Sequence, residues 1–282
     1  MTGSNAPFTI ALLQMTSGIE PQHNCAQIVA ALEEARAGDA KILFAPEMSL
    51  LLDRDRQRSS AHIGHEAESR EISALQQAAR DSGLWLHLGS APFVDERVGE
   101  KRVNRTLVID DKGVVRARYD KIHLFDVDLA TGESWRESST YTGGGAPVAV
   151  DTPWGRLGLS ICYDLRFPDL YRALTNAGAT MLAIPAAFTV PTGEAHWHIL
   201  QRARAIEAGV FVIAAAQVGT HEDGRKTYGH SLVIDPWGRI LLDMGDTQGV
   251  GFAKLDPAEI AKVRAAVPAL ANRKAIGEVQ IF

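Results

Sequence analysis

Short apolar runs alternate with helix-spaced apolar positions along the whole chain. Thr9-Ile-Ala-Leu-Leu-Gln-Met15 predicts a buried strand. Cys25, Ile28, Val29 and Leu32 then fall at i, i+3, i+4 and i+7, one face of a helix, and Gly38 supplies its stop. Lys41–Phe44 reads as a second strand running into Ala45-Pro46-Glu47. Ile72, Leu75 and Ala79 mark another helix with Gly83 just beyond it, and Leu84–Leu88 is the third strand. Val103–Ile109 and Val114–Tyr119 flank Asp110-Asp-Lys-Gly113, a hairpin turn by its chemistry.

The second half repeats this order. Leu157–Ile161 predicts a strand, 168–178 a helix, and Met181–Ile184 a strand ending at Pro185. A helix over His198–Gly209 follows, then the strand Val210–Ala215 and a hairpin around Asp235-Pro-Trp-Gly238. Pro46 corresponds to Pro185, Gly83 to Gly209, and Val-Ile-Asp at 108–110 to the same triplet at 233–235. Their common order points to an internal duplication. Two such halves predict an α/β architecture of two mixed sheets face to face, helices on the outer faces. No flexible linker separates them, so the expectation is one domain over 1–282, with a core of about 8–255.

Composition narrows the function. The chain has 282 residues, 46% hydrophobic and 22% charged, enough to bury a sizeable core. With 34 acidic and 29 basic residues the net charge is −5, and no Lys/Arg stripe offers the phosphate contacts that nucleic-acid binding requires. Arg54, Arg56 and Arg58 are interrupted by Asp53 and Asp55, which reads as a solvated loop. No run reaches the ~18 apolar residues of a membrane span. Met1–Pro7 lacks the basic residue of a secretory signal, and two cysteines are too few for a disulfide framework. These features predict a soluble protein of a reducing compartment, the cytoplasm, with neither nucleic-acid nor membrane partners.

Three reactive side chains stand where predicted strands end: Glu47, Lys121 and Cys162. Each alone reads as ordinary: a loop carboxylate, an edge charge, a small core thiol. Their surroundings change that. Glu47 lies among apolar residues, and poor hydration predicts a raised pKa suited to a general base. Cys162 sits at a strand-to-helix bend, which exposes sulfur and frees backbone N–H groups for an oxyanion. Its thiol needs a base or a nearby cation, and Glu47 and Lys121 offer one each. Cys25, on a helix face, belongs to the core. Gly143-Gly-Gly145 lacks a phosphate-loop pattern and reads as a flexible turn. His196 and His198 form a His-x-His pair of the kind that ligates metal on a strand, but no cluster completes a site.

Phe44-Ala-Pro-Glu47, Tyr119-Asp-Lys-Ile-His-Leu-Phe-Asp126 and Leu159-Ser-Ile-Cys-Tyr-Asp-Leu-Arg-Phe-Pro168 together resemble the three signatures of the nitrilase (carbon–nitrogen hydrolase) superfamily. Trp135-Arg-Glu-Ser138 resembles its further glutamate segment. Thr192-Gly-Glu-Ala-His-Trp197 and Tyr228–Gly238 resemble its Nit-type amidase branch. The resemblance implies a four-layer αββα sandwich, a Glu47–Lys121–Cys162 triad with Glu137 as auxiliary carboxylate, and no metal or organic cofactor. It also implies a homodimer or higher homo-oligomer. From its own residues, the segment 256–282, whose stretch from Pro268 ends in apolar Ile281-Phe282, is expected to pack on a partner subunit. The implied substrate is a small linear amide, with the Tyr163 backbone N–H, Phe188, Thr189 and His196 in the binding site. Asp164 and Arg166 are expected to brace the bend, and Arg166 or Arg172 is the candidate cation for an acidic substrate. Among family activities, cleavage of deaminated glutathione is preferred. ω-Amides of 2-oxo acids, N-carbamoyl amino acids and nitriles remain open, as does an inactive dimeric scaffold. Met48-Ser-Leu-Leu-Leu52, Glu194 and His198 depart from the branch pattern near the expected pocket mouth.

Overall fold

The computed structural model describes residues 6–128, 132 and 134–282; Met1–Asn5, part of the segment read for a secretory signal, lie outside them. The first half runs β1 (Phe8–Gln14), α1 (Pro21–Ala37), β2 (Ala40–Phe44), α2 (Arg56–Ser60), α3 (Arg70–Ser82), β3 (Trp85–His87), β4 (Ala91–Val94), β5 (Arg102–Ile109) and β6 (Val115–Asp120). A short excursion carries β7 (Asp126–Asp128) and β8 (Ser134–Arg136). The second half runs β9 (Val148–Thr152), β10 (Gly155–Leu159), α4 (Pro168–Asn176), β11 (Met181–Ala183), α5 (Val190–Ala208), β12 (Phe211–Ala214), β13 (Val218–Thr220), β14 (Lys226–Tyr228), β15 (Leu232–Ile234) and β16 (Ile240–Asp243). The elements β17 (Gly249–Leu255) and α6 (Ala258–Ala266) follow.

The duplication is visible in the strand order. Within the first sheet β17-β1-β2-β3-β5-β6 pair in turn, and the second sheet runs β9-β10-β11-β12-β15-β16. Both sequences of neighbours are antiparallel, parallel, parallel, antiparallel, antiparallel. The matched residues occupy matched places. Gly83 and Gly209 end α3 and α5 in the left-handed conformation (φ 66° and 57°), where a glycine meets no Cβ penalty. Asp110 Oδ1 accepts from the N–H groups of Lys112 and Val114, and Asp235 Oδ1 from those of Trp237 and Arg239, so each closes its hairpin turn.

Strand alternation decides which layer each side chain joins. Along β1, Phe8, Ile10 and Leu12 enter the core between the sheets, while Ala11 and Leu13 face α1 and α3. The first group meets Leu157, Leu159 and Leu182 of the second sheet. The second meets Ile28, Leu32, Ile72 and Leu75. Leu170, Leu174, Trp197 and Ala205 of α4 and α5 cover the far side of the second sheet, which completes four layers. A fully buried Leu or Ile here contributes roughly 1.5–3 kcal/mol of transfer free energy.

Two expectations change. Helix α5 begins at Val190, eight residues before His198, because Pro191 sits in its first turn, where no N–H needs a partner, and Gly193 lies against the Tyr228 ring. The segment 256–282 is also not all available to a partner. α6 packs on its own chain through Ile260 and through Arg264, which donates to the carbonyls of Gly209, Ala208 and Ala179. The apolar end, Ile281 and Phe282, is exposed.

Candidate active site

Three loops at carboxyl ends of strands converge on one cavity of about 430 Å³. Glu47 follows β2, Lys121 follows β6, and Cys162 follows β10, so the first two come from one half and the cysteine from the other. All three are buried and line the cavity, as do Glu137, Tyr163, Phe188 and Thr189. Lys121 Nζ donates to Glu47 Oε1 at 2.9 Å and to both oxygens of Glu137, at 2.9 and 3.1 Å. Asn104 Nδ2 adds a 3.0 Å bond to Glu47 Oε1, and the Ala187 N–H donates to Glu47 Oε2 at 3.0 Å.

Each member is held by its backbone. The Ala45–Ser49 segment is pinned by Ala45 N–H to His87 O, Ser90 N–H to Pro46 O, and Gln217 Nε2 to Glu47 O. Gly89 (φ 78°) lies so close beneath the carbonyls of Ala45 and Pro46 that a Cβ would strike them. Before Lys121, Asp120 is gripped by Arg105, which also binds Asp95 and Glu66. Gly143 and Gly144 press against the backbone oxygens of Ile122 and Asp120. The glycine triplet therefore packs against the lysine-bearing turn at two of its three positions, where a merely flexible turn was expected. Cys162 has φ 49°, a left-handed conformation that costs a non-glycine residue of order 1 kcal/mol, and its N–H is tied to Pro185 O at 2.8 Å. Asp164 braces the bend as expected: it accepts from Tyr119 Oη (2.6 Å), the Ile161 N–H (2.9 Å) and the His123 N–H (3.0 Å).

Electrostatics correct one expectation. Burial alone pushes the Glu47 carboxyl up, but the Lys121 ammonium and the bonds from Cys162, Lys121 and Ala187 hold it below the ordinary carboxylate value. The sequence reading weighed the apolar neighbours of Glu47 and placed Lys121 in the same site, but it did not weigh the ammonium against burial. Burial and the Glu47 charge push the Cys162 thiol well above its ordinary value, and Lys121, despite burial, is kept firmly protonated by Glu137 and Glu47. The resting site is a carboxylate, an ammonium and a protonated thiol.

Other expected residues sort by position. Arg166 lines the cavity, over the rings of Tyr163 (6.0 Å) and Phe188 (5.5 Å). Arg172 pairs with Asp169 at the surface. His196 is exposed and stands outside the lining, 3.3 Å from an Arg166 nitrogen. Because 196 and 198 lie on a helix and not on a strand, their side chains diverge. His198 bonds Asp243 (3.0 Å), which also takes His230 (2.8 Å). These three bring potential metal-ligating atoms within 4.8 Å of one another, away from the cavity, with the carboxylate clamping both imidazoles.

The arginine run is exposed, as a solvated loop should be, but Arg54 and Arg56 also line the cavity, joined by Arg102 at the start of β5 and Arg225 from a distant turn. Among the described residues, seven basic side chains face three acidic ones there, a surface suited to an anionic ligand. The excess over Asp and Glu around Arg54 was visible locally only as alternating sign. Arg102 and Arg225 carried no local signal.

A buried cysteine, carboxylate and ammonium joined in one cavity, at the seam of a duplicated αββα sandwich, define a class. The carbon–nitrogen hydrolase family model matches residues 9–265, and the chain belongs to that family. Its similarity is closely spread among amidases. It is 38% identical over 275 residues to the deaminated glutathione amidase of Yersinia enterocolitica, covering 96% of this chain and 94% of that protein. It is also 38% identical over 271 residues to the human deaminated glutathione amidase, covering 94% and 82%. The NitFhit protein of C. elegans superimposes with a TM-score of 0.88 at 35% identity, over 95% of this chain and 65% of that one. Nit3 of Saccharomyces cerevisiae, a member of branch 10 of the nitrilase superfamily, gives 0.85 at 28%, over 95% and 97%. Among the described residues no helix is long and apolar enough to cross a membrane.

Proposed function

We propose that this protein is a thiol amidase that cleaves deaminated glutathione, with Glu47, Lys121 and Cys162 as its catalytic triad. The observation that carries the reading is the buried contact of Lys121 with Glu47 beside Cys162, three residues brought from separate loops to one cationic cavity. Glu47 takes the thiol proton as sulfur attacks the amide carbon, so that the C–S bond forms while the carbonyl electrons move onto oxygen. Lys121 and the Tyr163 N–H receive that oxyanion; the latter sits at the start of a helical turn, where N–H groups lack partners. Because the resting thiol is hard to ionise and Glu47 is a weak base, proton transfer and attack proceed together once the carbonyl lies beside Lys121. Glu47 returns the proton to the departing amine, the C–N bond breaks, and a thioester remains. Water, deprotonated by Glu47, then frees the acid and the thiol.

Glu137 is a positioning carboxylate. Both of its oxygens hold Lys121, and Oε2 also accepts the Phe125 N–H at 2.6 Å. Phe188 and Thr189 wall the acyl end, where Arg166 is placed to take the carboxylate of the 2-oxo acid. A homodimer is supported by the exposed Ile199, Ile206 and Trp237, and a cytoplasmic setting by the two unpaired cysteines. The test is 2-oxoglutarate release from deaminated glutathione and from 2-oxoglutaramate, with Cys162→Ala as control. Cys162-dependent release, strong from the first and weak from the second, is expected. The reverse preference makes the protein an ω-amidase, and silence on both removes the substrate assignment.

A further inference from the structure

The cavity has a second cationic end that the chemistry above does not use. Trp135, Phe125 and Tyr163 form a row of rings with centroids 6.2 and 5.1 Å apart. Arg166 lies over the Tyr163 end, beside Cys162 in sequence and in the cavity wall. At the Trp135 end stand two guanidinium groups, Arg54 and Arg225, at 5.5 and 4.8 Å from the ring centroid. These two come from loops far apart in sequence, and both line the cavity with Trp135.

Among the described residues their charge is poorly matched. Between them, again among the described residues, the carboxylate is Asp223, which spends its short hydrogen bonds on backbone, accepting from the N–H of Arg54 at 2.9 Å and of Arg225 at 2.8 Å. Its contacts with the two guanidinium groups are 3.9 and 3.6 Å, too long for hydrogen bonds. Nearby Asp53 is taken up by Arg58 at 2.7 Å. Arg225 Nε and Trp135 Nε1 are buried without an acceptor. A buried donor left unpaired costs about 1–3 kcal/mol, so two of them beside two cations form a place prepared for an anion.

We propose that Arg54, Arg225 and the Trp135 N–H form a carboxylate subsite for the leaving-group end of the substrate, and so determine specificity. This rests on the amidase reading above. Deaminated glutathione is an amide of 2-oxoglutarate with cysteinylglycine, so it carries one carboxylate at its acyl end and another at the end of its leaving amine. Arg166 and the Arg54–Arg225 pair lie at opposite ends of the aromatic row, and the scissile amide spans it at Cys162. A small ω-amide has no second carboxylate and leaves this subsite empty.

Calorimetry on Cys162→Ala protein tests the subsite apart from turnover, with deaminated glutathione and its analogue ending in a C-terminal carboxamide as probes. The carboxylate form is expected to bind ~10- to 100-fold more tightly, the range of a charge-assisted hydrogen-bond pair. Adding Arg225→Gln should shrink that ratio to below about threefold, Arg225→Lys should restore part of it, and the more exposed Arg54→Gln should lower it with little risk to folding. In the active enzyme the Arg225→Gln loss should fall on KM for the carboxylate far more than for the carboxamide. Equal binding of the two probes, no binding of either, or a ratio that survives Arg225→Gln overturns the subsite. If wild-type protein releases no 2-oxoglutarate, the amidase substrate assignment fails by itself, and the binding ratio still decides the subsite.

Discussion

Replacing Glu137 by Gln removes one charge and leaves the shape almost unchanged, which makes it a sharp probe of the site. Glu137 Oε1 faces Lys121 Nζ at 3.1 Å and Asn104 Nδ2 at 3.4 Å, while Oε2 faces Lys121 Nζ at 2.9 Å and the Phe125 N–H at 2.6 Å. Every neighbour is a donor. The NH2 of a glutamine must therefore point at two donors whichever way the amide is turned. One oxygen's worth of hydrogen bonds to a cation is lost, about 1.5–3 kcal/mol, and a donor conflict of about 1–3 kcal/mol is added. Allowing for partial relaxation, about 2–4 kcal/mol of Lys121 positioning disappears. If that energy holds Lys121 where the oxyanion forms, kcat should fall ~30- to 1000-fold while KM moves little. The assay is steady-state release of 2-oxoglutarate from deaminated glutathione, with a thermal melt and a sizing column to show that the variant folds and assembles as before. A kcat within about threefold of wild type, in a folded protein, would refute the positioning role of Glu137.

Three further outcomes follow from the same geometry. Asp164→Asn presents an amide nitrogen to the donor ring of Tyr119, Ile161 and His123, and should cost about 2–4 kcal/mol of folding free energy by denaturant titration, against near zero if the bend does not depend on it. Gly89→Ala drives a Cβ into the carbonyls of Ala45 and Pro46 beneath Glu47, so kcat should drop along with stability, and an unaltered enzyme would contradict that close approach. Burial holds the His87 imidazole down at about 3. Below an unfolded value of ~6.5 the unfolded chain binds a proton that the folded one refuses, so this contribution to stability is present at neutral pH and lost as pH falls from ~6.5 towards ~3. Between pH 6.5 and 4.5, wild type should lose up to ~2.3 kcal/mol more than His87→Gln, and parallel losses would be inconsistent with a buried neutral imidazole.

Much of this was legible in the residues. Strand ends marked Glu47, Lys121 and Cys162, because a reactive side chain after an apolar run is placed at the rim of a sheet whatever the sheet packs on. The matched Pro46 and Pro185, and the matched glycines at 83 and 209, anticipated the doubled strand order. What escaped depends on contacts far apart in the chain. The Glu47 environment was read as apolar, and although Lys121 was expected in the same site, only the fold shows the 2.9 Å contact across 74 residues that reverses the direction of the shift. Arg54 is solvated, as its sign-alternating neighbours suggested, but nothing local showed that its guanidinium lies over Trp135 and that its N–H donates to Asp223, which set it at the cavity wall. The start of α5 was hidden by Pro191 and Gly193, breakers inside a helix that are tolerated in a first turn and under a tyrosine ring. His196 was given a pocket role because it lies in the branch-like segment Thr192–Trp197, and the helix turns it outward.

The central claim is that Cys162 carries the acyl group between two half-reactions. Wild-type protein mixed with deaminated glutathione, quenched in acid within milliseconds and digested for mass spectrometry, tests this directly. A 2-oxoglutaryl adduct is expected on the peptide that contains Cys162, formed before free 2-oxoglutarate reaches its steady rate and absent from Cys162→Ala. Turnover that persists in Cys162→Ala, or an adduct on any other residue, would contradict it.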